Sequence, residues 1–163
     1  MPPINLTIAK IGPESDDFLR NLFQRYLHDM AQWFDVEAEP DGSYAYDFSS
    51  IWKNYDVYLA KVDDANAGFA LVGSAAEWIA DSYARDVHEF FVMHEFRRAG
   101  VGQRMATFVW NKYPGEWLVR VLEANTPAVL FWRASVSHYS HKEETHHVGG
   151  RPWRFFRFTS FPG

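Results

Sequence analysis

The stretch from Glu89 to Tyr113 constrains the fold more than any other, because its character changes twice within a short distance. Phe90 to Met93 is a short apolar run, which is typical of a strand buried on both faces. From Val101 onward the apolar residues recur at the spacing of one helical face. The segment between them, Arg97 to Gly102, is basic and contains glycine. The sequence therefore predicts a strand, a tight turn and a helix in succession.

The turn has the properties of an anion-binding site. Gly100 and Gly102 have no Cβ, so the backbone there can approach a ligand closely. The first turn of the helix carries free N–H groups at the positive end of the helix dipole. Arg97, Arg98 and Arg104 add formal positive charge. Together these features predict a site for a phosphate-bearing ligand.

Two common phosphate-binding motifs do not fit this turn. A Walker loop requires a lysine followed by serine or threonine after the glycines, and none is present here. A dinucleotide fingerprint requires a third glycine at the position of Met105. The remaining pattern resembles the pyrophosphate-binding motif of the GNAT superfamily, the acyl-CoA-dependent N-acyltransferases. That motif is Q/R-x-x-G-x-G/A, and Arg97, Gly100 and Gly102 match it.

A second motif of the same family follows the strand predicted at Trp117 to Leu122. At this place the family usually carries N-x-x-A-x-x-h-Y, in which h is an apolar residue. Asn125, Ala128 and Phe131 match this pattern at the right spacing. The resemblance therefore extends over two motifs in the expected order along the chain.

The chain departs from the second motif at Trp132, which replaces the tyrosine. In many family members that tyrosine protonates the departing thiolate, whereas an indole N–H is a donor but not a usable acid. We expect Tyr139 to act as the acid, with Ser135, water or no acid at all as alternatives. A protein without an acid could instead be a non-catalytic acyl-CoA-binding or sensing module.

The rest of the chain shows strand and helix patterns in alternation. Strands are expected at Ile4 to Ile11, Val57 to Val62, Ala67 to Ser74, Val87 to Met93, Trp117 to Leu122, Tyr139 to Val148 and Trp153 to Phe158. Helices are expected from Pro13 to Trp33, from Val101 to the break at Pro114, and from Asn125 onward, with a short one at Phe48 to Tyr55 in a flap that begins at Asp35. This order indicates an α/β fold class with a mixed sheet, that is, an α+β arrangement.

The order also resembles that of the GNAT fold and implies one GNAT-type acetyltransferase domain over residues 1–163. In that fold a central mixed sheet of about seven strands is flanked by about four helices, and strands 4 and 5 splay apart. The gap between these strands holds the pantetheine arm of the co-substrate, acetyl-CoA. By resemblance, the CoA contacts are Phe91, Val92, Met93, Arg97, Arg98, Ala99, Gly100, Val101, Gly102, Gln103, Asn125 and Trp132, with main-chain bonds from Phe91, Val92 and Met93.

Acyl transfer to an amine requires a base, because an alkylamine is mostly protonated at neutral pH. The resemblance favours Glu89, since family members often use Glu or Asp on this strand. Period two along a strand places Asp86, His88 and Phe90 on the opposite face from Glu89. Either face can meet the cleft, so Asp86 and His88 remain alternatives for the base.

The acceptor is expected to be a primary amine of a small molecule or a peptide. In this fold its pocket is built from the first helix, the flap and the last hairpin. The residues expected to line it are Tyr26, Asp29, Trp33 and Tyr46. Acidic residues in the same region suit a cationic amine; these are Asp29, Glu37, Glu39 and Asp47.

Composition argues against several other classes. The net charge of −5 disfavours a nucleic-acid partner, although arginines and aromatics interleave from Arg151 to Phe158. The histidines between His138 and His147 lack the further ligands of a tetrahedral site, so no metal is expected. No apolar run has the length of a membrane span, Met1-Pro2-Pro3 does not begin a signal peptide, and the absence of cysteine fits a cytoplasmic protein. The last hairpin either covers part of the cleft or forms the edge of a homodimer.

Overall fold

The computed structural model describes residues 4–81 and 83–162, so the expectation about Met1-Pro2-Pro3 lies outside the described residues. The strands in this part are β1 (Leu6–Ile11), β2 (Asp56–Val62), β3 (Ala65–Ser74), β4 (Arg85–Val92), β5 (Gly115–Leu122), β6 (His141–Val148) and β7 (Arg151–Ser160). The α-helices are α1 (Asp16–Met30), α2 (Ile51–Asn54), α3 (Val101–Lys112) and α4 (Thr126–Val136). Short 3₁₀ helices lie before α1, at Pro13–Ser15, and after β4, at His94–Phe96.

The seven strands of the described residues form one sheet in the order β1-β2-β3-β4-β5-β7-β6. Neighbouring strands are antiparallel except β4 and β5, which are parallel. The predicted fold class, a mixed sheet of the GNAT type with flanking helices, is confirmed. The antiparallel hairpin of β2 and β3 turns through Asp63 and Asp64, with φ of 50° and 68°, as a two-residue hairpin turn requires.

The two parallel strands are paired over a short length only. Arg85 lies opposite Trp117 and Asp86 lies opposite Leu118. Beyond these two positions no further pair joins β4 to β5 among the described residues, so the sheet has a gap in its middle. This is the predicted splaying of the fourth and fifth strands.

A β-bulge in β4 lies directly beyond the paired positions. Leu71 of β3 faces Glu89, but its neighbour Val72 faces Val87, so His88 is the extra residue. A bulge bends its strand and increases the local twist. The bulge at His88 therefore accounts for β4 turning away from β5 where the gap begins.

Helices cover both faces of the sheet. α1 buries Leu19, Phe23 and Tyr26, which recur at helical spacing, against β2, β3 and β4. α3 and α4 cover the opposite face, where Trp110 and Trp132 lie in one core cluster with side chains of β5 and β7. Because β4 lies between these two cores, its side chains alternate between the α1 face and the α3 face.

The first helix is shorter than the sequence pattern suggests. It was expected to reach Trp33, but α1 ends at Met30 and the chain continues in turns. Arg151 of β7 donates a hydrogen bond to the carbonyl oxygen of Trp33 at 2.9 Å, which holds the segment after the helix against the sheet. Within the described ranges, no helix combines the length and hydrophobicity needed to cross a membrane.

Candidate functional site

A cleft of about 1280 Å³ runs across the sheet at the gap between β4 and β5. One half, called here the α3 half, is lined by Arg98, Gly100, Val101, Gly102, Gln103, Asn125, Ala128, Phe131 and Trp132. The other, the α1 half, is lined by Tyr26, Asp29, Trp33, Phe34, Tyr46, His88, Glu89, Arg120 and Trp153. The gap joins the two halves, so a ligand bound in one can reach the other.

The α3 half contains the free N-terminus of α3. Gly100 is the N-cap residue, with φ of 78°, and no side chain caps the helix. The first amide bonded within the helix is that of Arg104, which donates to the carbonyl oxygen of Gly100 at 3.1 Å. The N–H groups of the preceding residues have no intrahelical acceptor and can bind an anion. Arg98, at the rim of this half, adds a positive charge.

Gly102 has a packing role besides the expected approach to a ligand. A Cβ at this position would lie 2.8 Å from the ring of Phe131 and 3.3 Å from the side chain of Val92. The absence of a side chain therefore allows α3 to pack against α4 and β4. Ala99 and Gln103 flank this turn, and the side chain of Gln103 lies 2.8 Å from Nε2 of His138.

The main chain of β4 presents alternate residues to the gap. Met93 donates its N–H to the carbonyl oxygen of Ala67 in β3 at 2.8 Å. In an antiparallel pair such bonded residues alternate with residues whose N–H and C=O point away. By this alternation Phe91 also bonds to β3, whereas Phe90 and Val92 direct their polar main-chain groups into the gap.

The main-chain groups of Phe91 and Met93 already have other partners: Phe91 pairs with β3, and Met93 donates its N–H to β3 while its carbonyl oxygen accepts from the N–H of Phe96 at 2.9 Å. The N–H of Val92 points into the gap, in agreement with the main-chain contact expected there. Phe90, which was not expected to contact CoA, points its main-chain groups the same way. The sequence contained the signal for Phe90, since residues two apart along a strand present their main chains in the same direction. What the sequence did not reveal was which of the two sets faces β3.

Asn125 both caps α4 and lines the cleft. Its side-chain oxygen accepts a hydrogen bond from the N–H of Ala128 at 3.2 Å, and the residue is 9% exposed. The amide nitrogen of Asn125 is left to donate to a ligand. Trp132, on the same helix, is buried against Phe90 and Phe131, with ring centroids 4.8 Å away in both cases.

Glu89 lies on the α1 side of β4 and is 17% exposed. It accepts hydrogen bonds from the hydroxyl of Tyr26 and, at 3.4 Å, from that of Tyr46. Burial raises the pKa of Glu89 to about 7, against the effect of the two tyrosine hydroxyls, which lower it. Glu89 therefore exchanges protons near neutral pH, as a general base must.

The expected separation of Glu89 from Asp86 and His88 is wrong, because the bulge interrupts the alternation of β4. Arg120 of β5 donates to Asp86 at 2.9 Å and lies 3.5 Å from Nδ1 of His88. Nε2 of His88 lies 4.0 Å from the carboxylate of Glu89. The three candidate bases and Arg120 thus form one group under the α1 half.

Asp86 and His88 differ from Glu89 in their availability. Asp86 is 1% exposed and is paired with Arg120, although burial raises its pKa. Burial lowers the pKa of His88, whose ring stacks on that of Tyr55 with centroids 4.4 Å apart. Glu89 lines the cleft and has no arginine partner among the described residues, and two tyrosine hydroxyls already donate hydrogen bonds to it. Of the three, it is therefore the best placed to act as the base.

The remaining residues of the α1 half hold one another in position. Arg97 donates to Asp29 at 3.0 Å and to the carbonyl oxygen of Val92 at 2.9 Å, so it extends toward α1 rather than toward the start of α3. Phe34 lies 6.1 Å from Trp153 between ring centroids. Phe34, Arg120 and Trp153 also line the cleft. No sequence motif points to them, because they meet the cleft only through the tertiary packing of distant segments.

The structure does not bring Tyr139 to Glu89. Its hydroxyl donates to Asn111 of α3 at 3.3 Å, and its ring packs on Trp110 and Phe158 behind that helix. The alternative acid, Ser135, is 2% exposed and donates to the carbonyl oxygen of Phe131 at 2.9 Å. Of the expected sources of a proton for the leaving group, water is the one that can reach the cleft.

The histidines toward the end of the chain do not form a metal site in the described residues. No group of three or more His, Asp or Glu side chains there has a geometry that could hold a metal ion. His146, on the exposed strand β6, lies 2.8 Å from the carboxylate of Glu144, and its ring packs at an angle on that of Phe155.

Comparisons with known proteins give a family and a fold. The sequence matches the family model described as acetyltransferase (GNAT) family over residues 19–135. A comparison with curated proteins found no match. Solved structures, in contrast, resemble this chain along nearly its whole length.

Three of these structures show the extent of the likeness. The ribosomal-protein-S18-alanine N-acetyltransferase from Escherichia coli is 13% identical, with a TM-score of 0.66 over 98% of this chain and 96% of that one. Aminoglycoside acetyltransferase AAC(6')-Ib in complex with coenzyme A is 11% identical, with a TM-score of 0.69 over 95% of each chain. Arabidopsis thaliana NAA60 in complex with acetyl-CoA is 14% identical, with a TM-score of 0.57 over 96% of this chain and 98% of that one. At these identities the likeness is one of fold.

Proposed function

Because the chain belongs to the acetyltransferase (GNAT) family, we propose that it transfers the acetyl group of acetyl-CoA to a primary amine of a small molecule or a peptide. The amine attacks the thioester directly, in a ternary complex. The observation that carries this proposal is Glu89, a carboxylate at the gap between the two halves of the cleft whose pKa is raised to about 7. CoA or acetyl-CoA in the neighbours AAC(6')-Ib and NAA60 supports the choice of donor.

The α3 half suits the CoA portion of the donor. The free N–H groups at the start of α3, together with Arg98, fit a pyrophosphate. The main-chain N–H and C=O of Phe90 fit the amides of a pantetheine arm laid along β4, and the side-chain nitrogen of Asn125 adds a donor. In this arrangement the thioester reaches the gap beside Glu89.

Glu89 serves as the general base. An ammonium group must lose one proton before its nitrogen can attack and a second from the tetrahedral intermediate. Glu89 accepts the first, directly or through water, and solvent accepts the second. The C–N bond forms, the C–S bond breaks, and the thiolate leaves with the electron pair of the C–S bond.

The oxyanion and the leaving group need little further help. The N–H of Val92, directed into the gap, is a preorganised donor for the oxygen of the intermediate. A thiol has a pKa of about 8–9, so a thiolate leaves without full protonation and takes its proton from water. Trp132 excludes bulk solvent next to this point but supplies no acid.

A direct assay tests the proposal. The protein is incubated with acetyl-CoA and a panel of amines that includes amino acids, aromatic amines, polyamines, aminoglycosides and short peptides, and thiol release is followed together with the mass of the acetylated product. We expect amine-dependent thiol release with at least one class. Release at the background rate across the whole panel, with acetyl-CoA shown to bind, would contradict the proposal.

The replacement of tyrosine by Trp132, with Tyr139 and Ser135 bonded elsewhere, favours a second candidate. In that case the protein is a non-catalytic module that binds acyl-CoA and reports its presence. Such a module binds acetyl-CoA tightly, shows no turnover with any amine and is indifferent to Glu89→Gln. An effect of Glu89→Gln on turnover excludes this candidate.

A further inference from the structure

Aromatic side chains form the wall of the α1 half. Trp33 and Phe34 come from the segment after α1, Tyr46 from the segment before α2, and Trp153 from β7. The Phe34 and Trp153 rings lie 6.1 Å apart. Each of these four residues is half-buried in this structure and so keeps part of its surface open to the cleft.

The wall is fixed to the sheet. Arg151 donates to the carbonyl oxygen of Trp33 at 2.9 Å, and its guanidinium lies 5.6 Å from the centre of the Phe34 ring. Tyr46 packs on Phe23 of α1, with ring centroids 4.6 Å apart, and its hydroxyl reaches Glu89. A preformed aromatic wall binds a flat apolar group without the cost of ordering a loop.

The carboxylates in and beneath the α1 half are paired with arginines, except that of Glu89. Asp29 is bonded to Arg97 at 3.0 Å, and Asp86, beneath the cleft, is bonded to Arg120 at 2.9 Å. Among the described residues that line the cleft, Glu89 is the carboxylate with no arginine or lysine partner. One such carboxylate matches one ammonium group.

The other acidic residues once expected to attract a cationic acceptor lie elsewhere. Glu37 and Glu39 are exposed and do not line the cleft. Asp47 is exposed and accepts hydrogen bonds from the main chain and hydroxyl of Ser49. A second positive charge on the acceptor would instead meet Arg97 or Arg120, which line the same cleft.

We propose that the acceptor is a monoamine carried by an aromatic or similarly large apolar group, with its amine at Glu89 and its apolar group against Trp33, Phe34 and Trp153. Polyamines and aminoglycosides are excluded from this site by the lack of further unpaired carboxylates in its described lining. The identity of the reaction rests on the proposed function, whereas the selectivity of binding is a property of the cleft itself.

Binding to the CoA-loaded protein tests the selectivity apart from any reaction. Isothermal titration calorimetry at pH 8 compares phenethylamine, n-butylamine and spermidine. We expect phenethylamine to bind at least about tenfold more tightly than n-butylamine, since its ring buries additional apolar surface. Spermidine binding as tightly as phenethylamine, or phenethylamine binding no more tightly than n-butylamine, would overturn the proposal.

Two substitutions locate the effect. Trp33→Ala is expected to weaken phenethylamine binding about fivefold to tenfold and to leave n-butylamine and CoA binding unchanged. The matched control is Phe161→Ala, which removes an aromatic ring that is 67% exposed and outside the cleft. An equal loss in both variants would contradict the assigned position of the ring.

The pairing of Asp29 with Arg97 is tested by a further variant. Arg97→Gln leaves Asp29 without its partner and creates a second available carboxylate. Spermidine should then bind several-fold more tightly than it does to the unmodified protein, and its affinity should rise by a larger factor than that of phenethylamine. No gain for spermidine would show that the paired carboxylates do not determine selectivity.

Turnover separates the two proposals. If phenethylamine binds as expected but releases no thiol from acetyl-CoA, the reaction is wrong and the inference about the cleft stands. If spermidine or an aminoglycoside is acetylated more efficiently than phenethylamine, the reaction stands and the inference is wrong. A short peptide that begins with phenylalanine presents the same chemistry, and its kcat/KM relative to phenethylamine distinguishes a peptide from a small-molecule acceptor.

Discussion

The properties of Glu89 are determined by the side chains around it. Burial beside α1 raises its pKa to about 7, while hydrogen bonds from Tyr26 and Tyr46 act in the opposite direction. A carboxyl group with such a pKa is present in both protonation states near neutral pH, which suits a group that accepts and returns a proton in each cycle. The same burial makes the charged form less stable in the folded protein than in water.

Glu89→Gln is expected to reduce kcat by about a hundredfold or more, because general-base catalysis contributes about 10²–10⁴. In the unmodified protein kcat/KM should rise with pH through about 7, as Glu89 loses its proton. The variant should lose this part of the pH–rate profile while its Kd for CoA is unchanged. Glu95→Gln is the control, since that carboxylate is half exposed and pairs with Arg25. Equal activity of the two variants would remove Glu89 from the mechanism.

The raised pKa also predicts how stability depends on pH. The pKa of Glu89 is about 7 in the folded protein and 4.5 in the unfolded chain, so the folded state binds this proton more tightly. As pH rises from about 4.5 to about 7, the loss of this proton therefore lowers the free energy of unfolding. The cost of the fully charged form is about 3 kcal/mol. At pH 8 Glu89→Gln should therefore raise the melting temperature by several degrees, and at pH 4 by little. A variant less stable than the unmodified protein at pH 8 would contradict this account.

At the scale of secondary structure, the start of α3 combines the proposed anion site with the packing of two helices. Gly102 is buried in the first turn of the helix, directly beside the ring of Phe131. That ring is held by Phe90 and Trp132, with centroids 5.8 Å and 4.8 Å away, and cannot easily move. The helix N-terminus proposed to bind an anion is thus fixed to α4.

Gly102→Ala is expected to destabilise the protein by about 1–2 kcal/mol. At a solvent-exposed helix position, replacing glycine by alanine stabilises the helix by up to about 1 kcal/mol. Here a Cβ would lie 2.8 Å from the Phe131 ring, and the resulting overpacking costs about 1–3 kcal/mol. Urea unfolding measures the difference, and Arg104→Ala in the same turn, an exposed position, is the control. A neutral or stabilising Gly102→Ala would show that α3 and α4 adjust freely to each other.

The strongly periodic elements and the first motif could be predicted from sequence, and the irregular features could not. α1 and α3 carry an apolar face that any helix of this sequence would bury, and Asn125 lies at the start of α4 as expected. The bulge at His88 is different, because Phe90 to Met93 is a continuous apolar run, so this strand has no regular alternation in which an extra residue would be visible. A bulge depends on how β3 and β5 compete for β4, and this competition is a property of the sheet.

The site shows the same division. Gly100, Asn125 and Glu89 belong to local patterns and were identified, whereas the aromatic wall depends on the approach of β7 to the segment after α1. Tyr139 was expected at the site because it follows Trp132 closely along the chain. In the structure its hydroxyl instead donates a hydrogen bond to Asn111 of α3. Proximity in sequence gave it no access to the cleft.

At the scale of the whole molecule, the cleft exists because the sheet is interrupted. β4 belongs to the part of the sheet covered by α1, and β5 to the part that β7 and β6 complete. The two parts are joined by two paired positions and by α3 and α4 on one face. A ligand that lies in the gap, bonded to β4 on one side and to α4 on the other, therefore stabilises the folded state as a whole.

CoA is accordingly expected to raise the melting temperature. At a concentration of one hundred times Kd, binding adds about 2.7 kcal/mol to the free energy of unfolding, which corresponds to a shift of about 5–10 °C for a chain of this size. Arg98→Gln removes a charge beside the N-terminus of α3 and keeps the Cβ at a residue with φ of 66°, so the backbone is unaffected. At the same CoA concentration the shift in this variant should be smaller by about 2–4 °C.

The contrast with two further variants makes this test specific. Arg20→Gln removes an exposed arginine of α1 that pairs with Asp16, far from α3, and should leave the CoA-induced shift unchanged. Trp33→Ala, in the α1 half, should also leave it unchanged, because the proposed CoA site lies in the α3 half and the gap. If all three variants reduced the shift equally, CoA would be stabilising the protein without a defined pyrophosphate site. If Trp33→Ala alone reduced it, CoA would lie in the α1 half, and the orientation of the two substrates would have to be reversed.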